Sequence, residues 1–414
     1  MHFQFFDDSQ INHLFPLTLT RPSADLRVGI LTIAEKWLHD FSIQDSNSFG
    51  FQTRDYLSKK FLSIHAKSTS PEIITYINGK VVPNEALNHQ VRNLSTNQKL
   101  VKEGVLIAFR SQLLNFTEFN TLLENDFSQF DSVEFESNIT VISRPFHIFK
   151  LNAQEIQADF ERLTAGKTSQ PLSQTNTKLG KFPVFLEEGA QVECSILNAL
   201  DGPIYLGKNS EIMEGSVVRG PLALCEGSKL KLSTKVYGAT TLGPYSNVGG
   251  EVNNIVIQGY SNKGHDGFLG NAVLGEWCNI GADSNCSNLK NTYDEVKVWN
   301  YATRRFDKSG MQFCGLIMGD HSKCGINTMF NTGTVVGVAC NLFGAGFPRQ
   351  FVPDFSWGGA SGFVTHKLTA VDKTAALVLV RRGKEYNELE QEIMHYLYQN
   401  TAGERTWEIE ESGS

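Results

Sequence analysis

The sequence predicts an α/β domain followed by a parallel β-helix of hexapeptide turns and a C-terminal helix. Three observations carry this. Glycine is unevenly spread: of 36 residues, 6 fall in residues 1–183, 27 in 184–365 and 3 in 366–414. Eight aliphatic positions recur at every sixth residue, at Leu206, Ile212, Val218, Leu224, Leu230, Val236, Leu242 and Val248. Ahead of them, short apolar strands alternate with stretches of helical periodicity, the pattern of an α/β sheet.

The period of six is the signature of a solenoid built from one short strand and one turn per repeat. A single hexad cannot bury its apolar side chain, so successive coils must stack and share one core. Four positions after each aliphatic residue stand Ser210, Ser216, Leu222, Ser228, Thr234, Thr240, Ser246 and Val252, mostly small enough for a tight inward corner. The register breaks near residues 253–267 and is expected to resume at Phe268, Leu274, Ile280 and Cys286. An excursion over about 287–316, with Trp299 and Arg304-Arg305, interrupts it before Met318, Cys324, Phe330, Val336 and Leu342. Interruptions in a regular scaffold are where binding chemistry tends to sit.

In the N-terminal part, Phe3–Phe6 reads as a first strand and Gly29–Phe41 as a helix with Ile30, Ile33, Ala34 and Trp37 on one face. Tyr76–Val82 reads as a hairpin around Asn78-Gly79. A strand is expected at Val105–Phe109, and helices at Gln112–Glu124, Asn152–Leu163 and Asn387–Asn400. The polar stretch from Gly166 reads as a linker. These features divide the chain into an α/β domain at 1–165, a linker at 166–183, the β-helix at 184–365 and a tail with a helix at 366–414.

Composition removes several classes of function. The net charge of −7 argues against nucleic-acid or membrane-surface binding. No apolar run approaches the roughly 20 residues of a membrane span. The N-terminus lacks the pattern of a secretory signal, and the seven cysteines have no CxxC spacing, so they read as reduced thiols in a cytoplasmic protein. No Walker loop or G-x-S-x-G element occurs. Asp320-His321 fits a β-helix corner better than an acid–base pair, and Asp7 and Asp8 are weak candidates for a metal site.

The stretch from Gly264 to Ala282, GHDGFLGNAVLGEWCNIGA, resembles the acetyltransferase half of the bifunctional N-acetylglucosamine-1-phosphate uridyltransferase and glucosamine-1-phosphate acetyltransferase family, which has G-H-x-x-Y-L-G-D-A-x-I-G-x-x-x-N-I-G-A there. The likeness is strong over about 204–345. It implies a nucleotidyltransferase-like, Rossmann-like first domain, shortened here, followed by a left-handed β-helix. It also implies a homotrimer, acetyl-CoA as co-substrate, sugar phosphate and nucleotide substrates, and magnesium at the first domain.

The resemblance makes His265 the general base that deprotonates an attacking sugar amine, a task suited to an imidazole near neutral pH. It gives Asn279 and Asn288 to the acceptor and Ala282 to acetyl-CoA. Asn253 stands where the family has a lysine near the sugar phosphate, so Lys263 becomes the substitute candidate. Phe268 and Leu289 replace family tyrosines. The family's G-x-G-T-R loop is missing; Arg21 and Arg27 remain as phosphate ligands by charge. The reading is therefore acyl transfer to an amino-sugar phosphate, beside a first domain of weak nucleotidyl transfer. Two alternatives stay open: a sugar-1-phosphate nucleotidyltransferase using UTP or dTTP on a structural β-helix, and a non-catalytic sugar-nucleotide-binding trimer.

Overall fold

A computed structural model describes residues 1–67, 73–125 and 127–411. The chain forms two compact units. The first comprises Met1–Leu14, Thr20–Leu26 and Leu31–Ser143; the second comprises Phe15–Leu19, Arg27–Ile30 and the chain from Arg144 onward.

The first unit is a Rossmann-like α/β fold around a six-stranded sheet. Its strands lie in the order Phe49–Gln52, Phe3–Phe6, Ile73–Asn78, Val105–Gln112, Gln98–Lys102 and Asp131–Glu134. The first three are parallel, with Phe3–Phe6 between the other two. All four residues of that central strand are buried, as a strand covered on both faces requires. The helix Ile33–Asp40 starts later than its apolar spacing suggested, because Thr32 and Glu35 form a reciprocal capping box that fixes its first turn. Likewise Asn115 and Glu118 start the helix Phe116–Glu124, while Gln112 stays in its strand.

The expected hairpin at Tyr76–Val82 does not form. Ile73–Asn78 is already paired on both edges, with Phe3–Phe6 and Val105–Gln112. Val81–Val82 instead pairs antiparallel with Thr140–Val141. The Asn-Gly pair ends a strand here and turns the chain away from the sheet.

The second unit is a parallel β-solenoid. One wall is a 10-stranded sheet; two further walls merge into a 13-stranded sheet. They merge because Glu251–Gly259 and Phe268–Glu276 run through a corner without a break. All eight aliphatic positions of the hexad run point inward and are buried. The small residues near the corners are buried too, and several close their turns: Ser216, Ser228 and Thr234 donate to the carbonyls of Met213, Cys225 and Lys231 at 2.6–2.8 Å. After the break Leu269, not Phe268, is the inward residue; the later positions Met318, Cys324, Phe330, Val336 and Leu342 are inward as expected.

The excursion carries a two-stranded ribbon, Lys297–Asn300 with Arg305–Lys308. Trp299 folds back onto Phe351, with ring centroids 4.3 Å apart. The seven cysteines form no disulfide among the described residues, and six are buried. Burial pushes the thiols of Cys278, Cys314 and Cys340 up to about 12, which suits packing rather than nucleophilic chemistry.

Helix His147–Thr164 belongs to this unit. Asn152 in it accepts from the Gly29 amide at 2.9 Å, and Asp159 accepts from the Ile30 amide at 2.8 Å. The C-terminal helix Glu388–Asn400 is capped by Asn387 and buries Ile393, Met394 and Leu397. A helix absent from the sequence reading, Leu368–Val380, precedes it. No described helix is long and apolar enough to cross a membrane.

Candidate functional sites

In the solenoid, the loop at residues 264–267 joins the strand Asn262–Lys263 to Phe268–Glu276. Gly267 has φ +111°, and a Cβ there would sit 2.1 Å from the Ser284 carbonyl oxygen, so no other residue fits unchanged. Lys263 takes an inward position on its wall, between Val248 and Ile280 of the neighbouring coils. Its Nζ donates to the carbonyls of Gly249 and His265, both at 2.7 Å. Burial draws its pKa down to about 8, against the opposing pull of Asp266 and Asp283. The lysine thus ties the backbone of the His265 loop from inside the solenoid.

The His265 side chain is exposed, and its imidazole makes no hydrogen bond among the described residues. It stands in water on a fixed backbone, a geometry in which a neutral imidazole can accept a proton from a bound amine. Asn279 is exposed on the next coil, its strand paired to Asn262. The Ala282 carbonyl accepts from the Asn327 amide at 2.8 Å.

Asn288 donates to the Asn271 side chain at 2.8 Å. Asn271 donates in turn to Asn254 at 3.0 Å, when the Asn254 amide is oriented towards the Ala239 and Phe149 carbonyls. Asn254 and Asn271 both adopt left-handed backbone, so the three asparagines form a ladder along one corner.

Of the residues singled out in the sequence, Lys263 and His265 meet directly, while Arg27 lies apart from them in the chain and in its contacts. Arg27 is buried; its backbone amide donates to Gln258 Oε1 at 2.6 Å, and its guanidinium donates to the carbonyls of Gln258 and Ile30. Arg21 is in the other unit, buried and paired with Asp25 at 3.4 Å.

The first unit contains a polar cluster that the sequence reading largely missed. It lies where the three parallel strands end, the usual place for a ligand crevice in an open α/β sheet. Asp7 follows Phe3–Phe6 and accepts from the Ser23 amide (2.8 Å), the Ser23 hydroxyl (2.7 Å) and the Thr53 hydroxyl (2.6 Å). Arg54 Nη2 bridges Asp7 at 3.4 Å and the Arg21 carbonyl at 2.8 Å. Asp8 pairs with Lys80 Nζ at 2.7 Å and accepts from Asn78 at 3.1 Å. Gly79 lets the two segments touch: a Cβ would meet Ser23 Oγ at 2.5 Å. Polar residues at or immediately after the ends of the parallel strands, Thr53-Arg54 and Asn78-Gly79-Lys80, were the available signal.

These residues do not make a metal centre by themselves. No group of three or more His, Cys, Asp and Glu suited to a metal occurs among the described residues. Asp7 and Asp8 already neutralise Arg54 and Lys80, so a magnesium ion would compete for the same oxygens.

Three comparisons with known proteins each give a match. The family model described as sugar nucleotidyl transferase matches residues 3–168. A relative described as bifunctional protein GlmU, from Methanocaldococcus jannaschii, is 33% identical over 90 residues, which is 22% of this chain and 21% of that protein. The chain therefore spans about a fifth of the length of this curated relative. A crystal structure titled as the polySia-specific acetyltransferase NeuO aligns with 47% of this chain and 87% of its own, at 11% identity. Its TM-score is 0.25.

Proposed function

We propose, starting from a chain whose residues 3–168 match sugar nucleotidyl transferases, that it is a transferase of nucleotide-sugar biosynthesis. In this reading its solenoid moves the acetyl group of acetyl-CoA onto an amino-sugar phosphate. The observation that carries the reading is the His265 loop. Its backbone is tied from within by Lys263 and fixed below by the Gly267–Ser284 contact, while the imidazole stays exposed. Such a base is held in place before substrate arrives, which is what positioning catalysis needs.

The step follows. The neutral imidazole of His265 removes a proton from the substrate ammonium, and the amine nitrogen attacks the thioester carbonyl. The C–N bond forms and the C–S bond breaks. The imidazolium passes that first proton to solvent; the neutral imidazole then takes the second proton from the nitrogen as the C–N bond forms and gives it to the thiolate as the C–S bond breaks, so that one proton is released overall. Asn279, one coil away, is assigned to the acceptor, with Asn288, and Ala282 to acetyl-CoA. Lys263 acts on the loop rather than on a phosphate, since its ammonium is spent on two carbonyls.

The polar crevice of the first unit supports binding of a nucleotide or nucleotide sugar there; Arg54 and Lys80 line it, each already paired with an aspartate. Arg21 and Arg27 are likewise buried in contacts of their own. Nucleotidyl transfer is expected to be weak, because no Gly-rich backbone nest orients a triphosphate. Assembly as a homotrimer and a cytoplasmic location belong to the same proposal.

The test is acetyl transfer from acetyl-CoA to glucosamine-1-phosphate and related amino-sugar phosphates. His265→Ala should lower kcat by roughly 10²–10⁴-fold with acetyl-CoA affinity nearly unchanged. Transfer that survives His265→Ala unaltered removes this residue from the chemistry.

A further inference from the structure

A cavity of about 150 Å³ lies in the second unit, between one wall of the solenoid and the helix Leu368–Val380. Three successive coils supply its floor: Lys323, Asn341 and Trp357 are direct neighbours in the sheet. His321 and His366 stand beside them, and Val371 of the helix covers them from above. None of the lining residues is an Asp or Glu.

The cation is the informative part. Lys323 Nζ donates to the His321 carbonyl at 2.8 Å. Among the described residues it has no carboxylate partner within salt-bridge distance. Burial lowers its pKa, opposed by the nearby Cys278 thiol. Lys323 is half-buried, and a cation drawn partly out of water without a counter-charge is costly; such groups are ordinarily paired or ligated. His366 Nδ1 faces the Ala339 carbonyl at 2.9 Å, which fixes the ring and leaves Nε2 as its remaining polar atom. The rest of the lining includes apolar surface: the Trp357 ring, packed on His366 at 4.7 Å, and Val371 of the helix.

Size excludes the substrates of the reaction proposed above. Sites for drug-sized ligands run to roughly 300–1,000 Å³, whereas a single water needs only about 10–15 Å³. This cavity falls between, with room for a small organic molecule and not for a nucleotide or a sugar phosphate.

We propose that this cavity is a second ligand site, which binds a short-chain carboxylate of the size of propionate or butyrate. The carboxylate meets Lys323 Nζ and the Asn341 amide. The hydrocarbon tail lies against Trp357 and Val371.

Calorimetric titration and thermal melting of the full chain test this, using sodium propionate, sodium butyrate, sodium phosphate and sodium chloride at equal ionic strength. Propionate or butyrate should bind saturably and raise the melting temperature. Lys323→Met should weaken that binding by roughly 10–100-fold, the value of a lost charged hydrogen bond. Ala370→Leu keeps the lysine and fills the cavity from the helix side, and it should abolish binding as well. Lys229→Met, at a partly exposed lysine paired with Glu211, should leave it unchanged. If Lys323→Met does not fold, Ala370→Leu decides alone. Absence of saturable carboxylate binding overturns the proposal, as does equal binding by the parent and the folded variants. Preference for inorganic phosphate overturns the carboxylate assignment. No readout depends on acyl transfer, so failure here and failure of the proposed reaction are told apart.

Discussion

Lys263 shows what one residue does when a lattice position meant for an aliphatic side chain receives a charge. Its neighbours in the column are Val248 and Ile280, and its ammonium survives burial by holding two carbonyls. In the unfolded chain it titrates at 10.5, and in the fold at about 8. Below about pH 8 both states carry the proton and the burial cost is constant. Between about 8 and 10.5 the unfolded chain still holds a proton that the folded chain has lost, so stability gains with rising pH through that window. Lys263→Met removes this contribution. Urea unfolding at pH 8 and pH 10 should show a rise in the parent, relative to the variant, of roughly 2–3 kcal/mol. Other titrating groups are common to both proteins and cancel; an identical pH response in the two would refute the account. The sequence did not expose this role. Inward positions on this wall repeat every 18 residues from Ile212 to Leu230 to Val248, but only 15 separate Val248 from Lys263, so counting by hexads lost the column at that point. His265 was legible because its neighbours Gly264 and Gly267 belong to a recognisable stretch. Asp7 was seen and its partners were not, since Ser23, Thr53 and Arg54 come from distant segments.

At the scale of the element, the loop at 264–267 depends on close approach of two coils. Gly267→Ala forces a methyl group against the Ser284 carbonyl and into a left-handed backbone. The cost should be roughly 1–3 kcal/mol, read as a melting temperature lower by several degrees. Because the displaced segment carries His265, acetyl transfer should fall further than the loss of folded protein explains; full activity at the parent's melting temperature would show that the contact yields easily. Strand and helix types were largely readable from periodicity, but boundaries set by caps were not, as the capping box at Thr32 and Glu35 illustrates. Pairing was not. The Asn78-Gly79 pair has the composition of a hairpin turn, yet the edges of Ile73–Asn78 were already taken. The helix Leu368–Val380 escaped notice because it is apolar around much of its circumference and shows little one-sided periodicity.

At the scale of the molecule, the glycine distribution announced a solenoid but not that the solenoid unit includes two short pieces of the N-terminal region. Residues 27–30 are held there by Gln258, Asn152 and Asp159, and Ile30 packs with Ile156, Phe160 and Tyr205. No local pattern signals this, because a tetrapeptide carries no periodicity and its partners lie more than 100 positions away. A fragment of residues 144–414 loses these buried hydrogen bonds, each worth about 1 kcal/mol, together with the Ile30 contact. Its solenoid should melt several degrees below that of the intact chain, followed by circular dichroism; equal melting would mean that the tetrapeptide contributes nothing. The same interleaving bears on inheritance. A crossover at the codon for Arg144 would hand the solenoid to a new partner without the residues that finish it, and leave those residues behind in a domain that has no place for them. The two parts are bound to be inherited together, and a change at Gln258 or Asn152 is felt at once by Arg27 or Gly29 in the N-terminal region.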